Sequence, residues 1–269
     1  MTLHLVAPGL LGPLPRDVDP STLPRPRRLE TLLARADTAE APSGCPPTLF
    51  RLFGIDPAAA GGAACSYLAE FDEPPRGWLS RADPVHLVPD QDRLLLFDLQ
   101  RDAVTAAEAR ELTEAFNAHF ADDGLVLTRG PAGGWYLLAE TRTAVRLHDL
   151  DDVVGRNLDG FLPEGPDADF WRRLLNEAQM LCHGLACNAR REAAGALPIS
   201  GLWFSGGGAL PAVPGPAPIR GAAGAGYLLA GLCRIADVPR VEADEVLRDG
   251  GLLLFAVHAD DFVATLQEP

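Results

Sequence analysis

The sequence predicts an α/β protein whose parallel-sheet core, residues 1–78 and 151–269, is interrupted by a small inserted α+β module at 79–150. Three observations predict it. Short apolar runs closed by Gly or Pro, such as LHLVAPG, GLWFSGGG and GLLLF, suit strands buried in a parallel sheet. These runs alternate with helical patterns in the order strand, helix, module, helix, strand, helix, strand, the order that a parallel core with an insertion produces. The character of the chain also changes near residue 79, where two hairpin patterns flank a capped helix.

The first strand, LHLV, leaves the core through APGLLG, and residues 11–27 form a Pro-rich loop. LETLLARADTA has Leu29, Leu32, Leu33 and Ala36 on one helical face. After the loop APSGCPP, TLFRLFGI reads as a helix ended by Gly54, and residues 57–70 read as a small-residue helix with a glycine break. In the module, SRADPVHLVPDQDRLLLFD gives two strands joined at PDQD, a turn with the expected Pro and Asp. Thr105 with Glu108 three residues on is a capping box opening the amphipathic helix TAAEARELTEAFNAHF. GLVLTRG and GWYLLAE supply a second hairpin around Gly130–Gly134. The segment from Asp151 to Asp169 reads as loop, and FWRRLLNEAQMLCHGL as a helix with Asp167 or Asp169 as its N-cap. GLWFSGGG is a strand running into a glycine turn, GAAGAG a glycine-rich approach to a helix, and GLLLFAVHADD a last buried strand.

Composition narrows the function. The 269 residues are 47% apolar and 22% charged, those of a globular chain with a large core. A net charge of -14 opposes partners held through phosphate contacts, because nucleic acid needs clustered Lys and Arg; Arg25, Arg27 and Arg28 are the one small basic group. No apolar run reaches the roughly 18 residues that span a bilayer, and MTLHLVAPGLLGP lacks a signal peptide's basic start, so a cytoplasmic protein without membrane contact is expected. Five cysteines at irregular spacing make neither a disulfide framework nor a zinc ribbon. Cys182 and Cys187, five apart on a helical pattern, point to different sides, which favours packing over a metal shared with His183.

The stretches RADPVHL, EARELTEAFN, WYLL, DDVVGRNLDGFLPEGPDADFWRRLLNEAQMLCHG and LPISGLWFSGGGALP occur in an order that resembles RpfE-type bacterial regulatory proteins. Those are in turn similar to shortened archaeal-type cofactor-independent phosphoglycerate mutases of the alkaline-phosphatase superfamily. The resemblance covers most of residues 79–260 and implies an alkaline-phosphatase-like core interrupted by an α+β module. The enzymes it points to move a phosphoryl group with two divalent metals held by Asp and His and a Ser or Thr nucleophile. This chain departs from them. The first strand leads into APGLLGP, where the first carboxylate is Asp17, and the C-terminus VHADDFVATLQEP offers only His258, Asp260 and Asp261. Further departures are LACN at 185–188 in place of His-Pro-Val-Asn, Ser205 in place of an aromatic residue and Gly134 in place of an Arg. The resemblance therefore implies a phosphoglycerate-mutase-like protein without a metal, cofactor or catalytic residue, acting by regulation or ligand binding. A rebuilt metal-dependent phosphomutase or phosphatase, or a structural interaction protein, is the alternative.

Candidate contacts to an anionic metabolite follow. Ser205, Gly206, Gly207 and Gly208 either form an anion nest of backbone N–H groups or a bend allowing close backbone approach. Asn188, placed just past a helix as a C-cap, and Arg191 either cap that helix or clamp a carboxylate or phosphate. Arg81 and His86 lie on the first hairpin, where the mutase-like relatives place substrate contacts; a solvated strand face is the other reading. GAAGAG has its glycines in the reverse of the dinucleotide order, which favours tight packing of a helix start. HDLDD at 148–152 reads as a solvated loop, and a Ser205, His258, Asp260 triad has no motif to support it. The Pro-rich segments 11–27 and 211–218 leave a protein partner open.

Overall fold

The computed structural model describes residues 2–8, 27–37, 39, 44–59, 61–99, 104–141 and 143–254. Asp17, most of the 11–27 loop, His258, Asp260 and Asp261 lie outside the described residues, and with His258 and Asp260 so do two of the three triad members. The elements run β1 (Leu3–Val6), α1 (Arg27–Arg35), α2 (Cys45–Leu52), α3 (Gly62–Phe71), β2 (Trp78–Asp90), β3 (Arg93–Asp98), α4 (Ala106–His119), β4 (Leu125–Arg129), β5 (Trp135–Ala139), α5 (Leu150–Val153), α6 (Ala168–His183), α7 (Ala186–Ala193), β6 (Gly201–Gly208), β7 (Ala222–Gly224), α8 (Tyr227–Ile235), α9 (Ala243–Asp249) and β8 (Gly251–Leu254).

A parallel sheet and an antiparallel sheet result. The parallel sheet has three strands in the order β1-β8-β7. Its central strand is covered on both faces: Leu252 packs with Phe50, Leu229 and Leu232, and Leu253 with Val246 of α9. Such two-sided burial is why GLLL reads as an unbroken apolar run. The first strand differs from its expectation. At the sheet edge β1 leaves Leu3 38% and Leu5 53% exposed, because no described element covers that face. On α1 the Leu29 and Leu32 side chains lie outside the description, while Leu33 is exposed rather than buried.

The antiparallel sheet is organised by β2, which is long enough to serve two partners on one edge. Its residues 78–81 pair with β5 and 85–90 with β3, while 79–85 pair with β6 on the opposite edge. The β2–β3 and β4–β5 hairpins form where the turn residues indicated, with Gln91 taking φ 53 at the first. One strand expected in the parallel core is here instead. GLWFSGGG is antiparallel to β2, with Val85 opposite Gly201 and Arg81 opposite Ser205. A run buried on both faces reads alike for either sheet type: Leu202 and Phe204 face Trp171, while Trp203 packs with Val85 and Leu96.

Helix α3 joins the two sheets. Ala63, Ala64 and Tyr67 lie on Leu79 and Tyr136 of the antiparallel sheet, and Cys65 packs with the cluster of the parallel one. At the crossing with α8 a Cβ on Gly231 would collide with the Cys65 carbonyl, so glycine sets the interhelical distance. On the other face of the antiparallel sheet, α4 and α6 bury Leu112, Phe116, Trp171 and Leu174. The capping box of α4 is complete: Glu108 N–H donates to Thr105 Oγ1 at 3.3 Å and Thr105 N–H to Glu108 Oε2 at 2.8 Å.

The chain beyond His183 also departs from its expected reading. Gly184 and Leu185 form a break, and ACNARREA resumes as α7, placing Asn188 inside a helix rather than at a C-cap. Cys182 and Cys187 are both buried and both free, and burial pushes the Cys182 thiol up to about 12. In GAAGAG, the middle residues form strand β7, and Gly226 with φ 102 precedes α8.

Candidate functional site

The candidate residues fall into two groups at opposite ends of β6. Arg81 and Ser205 are cross-strand neighbours, with Gly206, Gly207 and Gly208 continuing toward the start of α3. His86, Asn188 and Arg191 gather around residues 197–200, just before β6. Five strand residues at ~3.3 Å each separate Ser200 from Ser205 by about 16 Å, too far for one small anion to bridge.

The glycines of the first group are packed against protein. A Cβ on Gly207 would lie 2.5 Å from the Trp78 ring, and one on Gly206 at 3.2 Å from Ala63 N, with φ 59 already excluding most side chains. Across this contact, a Cβ on Gly61 would lie 2.5 Å from the Ala209 carbonyl oxygen. Small residues on both sides let α3 begin directly on the strand. Ser205 is buried there, 6% exposed.

Arg81 belongs to a buried polar network that the sequence reading missed. Its guanidinium pairs with Asp83 and lies 5.0 Å from the centre of the Tyr136 ring. Burial works against its charge, but Asp83 outweighs that and raises its pKa. Beyond it, Glu70 of α3 points its carboxylate into the β4–β5 turn. That carboxylate accepts from Ala132 N at 2.9 Å, Gly134 N at 3.0 Å and Tyr136 Oη at 2.6 Å. A Cβ on Gly130 or Gly134 would collide with it. The turn thus is an anion-binding loop filled by a carboxylate of the chain itself. The signal in the sequence was an acid on the apolar face of AACSYLAEF together with the two glycines flanking the turn at 130 and 134. Gly134 is where that acid fits.

The second group is also internally engaged. Arg191 is 4% exposed; its Nη1 donates to Glu108 Oε2 at 3.0 Å and its Nε to the Leu197 carbonyl at 2.7 Å. It clamps a carboxylate, as its geometry allows, but one from the capping box of α4. Burial opposes the Glu108 charge, yet Thr105 and Arg191 hold its pKa below the ordinary carboxylate value. Asn188 donates to Cys182 O at 2.8 Å and Ile199 O at 2.9 Å, and accepts from Ile199 N at 2.8 Å. His86 places Nδ1 3.0 Å from the Pro198 carbonyl and 3.2 Å from Ser200 Oγ. A carbonyl only accepts, so Nδ1 carries the proton and does not serve as a base toward Ser200.

The HDLDD segment is not a solvated loop throughout. Asp149 stands at the start of α5 beside Gly44, and burial, then Asp152 and Asp151, raise its pKa to about 6. Its folded-state pKa lies above the unfolded value, so its proton stabilises the fold fully at low pH and that stability is lost as pH rises through about 6. Asp149→Asn is expected to flatten the loss between roughly pH 4 and 6 and to raise stability at pH 7 by about 2 kcal/mol. Urea midpoints measured at pH 4.5 and 7 check this; a variant no more stable at pH 7 than the parent contradicts it.

The two-metal chemistry implied by the resemblance needs converging carboxylates and imidazoles. Among the described residues no group of three or more His, Cys, Asp or Glu side chains could hold an ion. In the densest acidic segment, Asp149 is poised to hold a proton, and His148 Nε2 lies 3.6 Å from Glu164. The described donors do not fit a two-metal site.

No family model matches the chain. It is 26% identical over 192 residues to a probable 2,3-bisphosphoglycerate-independent phosphoglycerate mutase of Geobacter sulfurreducens, covering 69% of this chain and 47% of that protein. The chain thus spans about half the length of the curated relative it matches. Among solved structures, the cofactor-independent phosphoglycerate mutase of Thermoplasma acidophilum aligns over 85% of this chain and 68% of its own, at 16% identity and a TM-score of 0.44. A protein of Pyrococcus horikoshii aligns over 80% of this chain and 56% of its own, at 15% identity and a TM-score of 0.45. The sequence match makes this chain a distant homologue of cofactor-independent phosphoglycerate mutases. No helix among the described residues is long and apolar enough to cross a membrane.

Proposed function

We propose that this protein is a phosphoglycerate-mutase-like chain that works by binding and regulation, in the manner of the RpfE-type proteins it resembles, and transfers no phosphoryl group. An alkaline-phosphatase-like core is part of that reading. One observation carries it: the groups suited to gripping an anion hold carboxylates of the chain itself. Arg191 holds Glu108, Arg81 pairs with Asp83, and the amides of the 130–134 turn hold Glu70. Phosphoryl transfer needs cationic groups free to meet the charge of the transferring group, and these are neutralised.

The test is a coupled assay of 2- and 3-phosphoglycerate interconversion, run beside hydrolysis of p-nitrophenyl phosphate, each with Mn, Mg or Zn. The expected result is no turnover above a protein-free control. Metal-dependent turnover proportional to protein concentration would favour an enzyme with a rebuilt site and would overturn the proposal.

A further inference from the structure

The antiparallel sheet has an unfinished edge. In β2, His86, Val88 and Asp90 pair with Phe97, Leu95 and Arg93, and the closing pair of a two-residue turn exchanges both backbone bonds. Alternation then turns the backbone of Val85, Leu87 and Pro89 toward the opposite edge. Ser200 N–H donates to the Val85 carbonyl at 2.8 Å, which fits that orientation. Strand β6 covers the edge only as far as Val85.

Asn188 accounts for the gap. Its side-chain amide takes both the N–H and the C=O of Ile199, at 2.8 and 2.9 Å, as a neighbouring strand would. The segment before β6 is thereby held to α7, and the bonds it makes to β2 go to the His86 side chain and the Val85 carbonyl rather than to the Leu87 backbone. Leu87 N–H, Leu87 C=O and the Pro89 carbonyl are left without a strand partner among the described residues. Between this edge and helices α6 and α7 lies a cavity of about 730 Å³. Its walls include Leu87, Leu94 and Met180, the last 77% exposed. Among the described residues its lining contains no Lys or Arg, His183 is its one titratable base, and its one carboxylate, Glu192, forms no ion pair.

We propose that this groove binds an extended peptide segment of a partner protein by strand addition to Leu87–Pro89, with a basic residue of the peptide meeting Glu192. Backbone bonds to an exposed sheet edge supply affinity, and alternate side chains in adjoining pockets supply specificity. Met180 and Leu94 take apolar side chains, and a thioether adapts to several shapes. About four peptide residues span the open part of β2 at ~3.3 Å each. The net charge of -14 favours a cationic partner over an acidic one.

A displayed heptapeptide library selected against the immobilised full chain tests this. Enrichment of sequences alternating Lys or Arg with β-branched or aromatic residues is expected, and the best is then synthesised with a fluorophore. Anisotropy should show saturable binding that weakens at least tenfold with Ala189→Trp, which fills the groove from an exposed position. Glu192→Lys should weaken it about tenfold, and N-methylation of the central peptide amides should abolish it. Both variants should melt with the parent. No enrichment, enrichment of acidic peptides, or a peptide indifferent to Ala189→Trp and to N-methylation overturns the proposal. A groove already filled by another segment of this chain gives the first of these results.

Discussion

Glu70→Ala is expected to destabilise the protein by about 3–5 kcal/mol, the range found when one member of a buried, hydrogen-bonded charged group is removed. Glu70 is 8% exposed and its carboxylate accepts three hydrogen bonds, two from backbone amides of the 130–134 turn and one from Tyr136. Alanine leaves the buried Gly134 N–H and Tyr136 hydroxyl without their acceptor, and each orphaned buried donor costs about 1–3 kcal/mol. Glu70→Gln should cost less, since its carbonyl can still accept, but its NH2 then faces a donor. Because Tyr136 shares the acceptor, Tyr136→Phe should cost little in the Glu70→Ala background and more in the parent. Urea unfolding followed by Trp fluorescence reads all three. A loss below about 1 kcal/mol for Glu70→Ala would mean that the turn holds its shape without the carboxylate.

Arg191→Ala is expected to cost a similar amount, about 3–5 kcal/mol, because it strands Glu108 at an interface between α4 and α7 where little water reaches. The side chains of Arg191 and Glu108 are 4% and 13% exposed. Arg191→Lys keeps the charge but not the planar fork that reaches both Glu108 and the Leu197 carbonyl, so an intermediate loss follows. The pH dependence has a definite sign. Glu108 is depressed in the fold, so its contribution is present above the unfolded carboxylate pKa and disappears as pH falls through the folded one. Arg191→Ala should therefore lose most at neutral pH and converge on the parent in acid. Thermal melts of both proteins from neutral to acidic pH measure this; parallel curves would contradict it.

Both variants bear on how much the sequence made legible. Local signals carried through: Thr105 and Glu108 specified a complete capping box, PDQD the first hairpin, and Gly130–Gly134 the second. What failed was non-local. A strand buried on both faces, as in GLWFSGGG, gives no sign of whether its neighbours run parallel, so the run alone does not place β6 beside β2 in the antiparallel sheet. Neither a cap nor a ligand contact describes Asn188, because the break at Gly184 and Leu185 is short and the Ala, Arg and Glu that follow can equally extend a loop or restart a helix.

The candidate site shows the same division. That Arg191 pairs with a carboxylate suits its chemistry, but no spacing rule reveals that the carboxylate lies some eighty residues upstream in the chain at Glu108. SGGG reads equally as an anion nest or as a place for close backbone approach, and only the packed structure shows what approaches it, the start of α3. Glu70 alone gives no such signal, because an acid within a small-residue helix reads as solvent-facing until the turn that receives it is in view.

Arg81, Arg191 and the 130–134 turn, the groups here suited to gripping an anion, are already filled from within. The most direct measurement is the divalent-metal content of the full chain, purified without chelator and equilibrated with Mn and Zn, by plasma mass spectrometry. Metal far below one equivalent per chain is the expected result. Two tightly held divalent ions per chain would contradict it, since such a pair requires the carboxylates and imidazoles of a working phosphoryl-transfer centre.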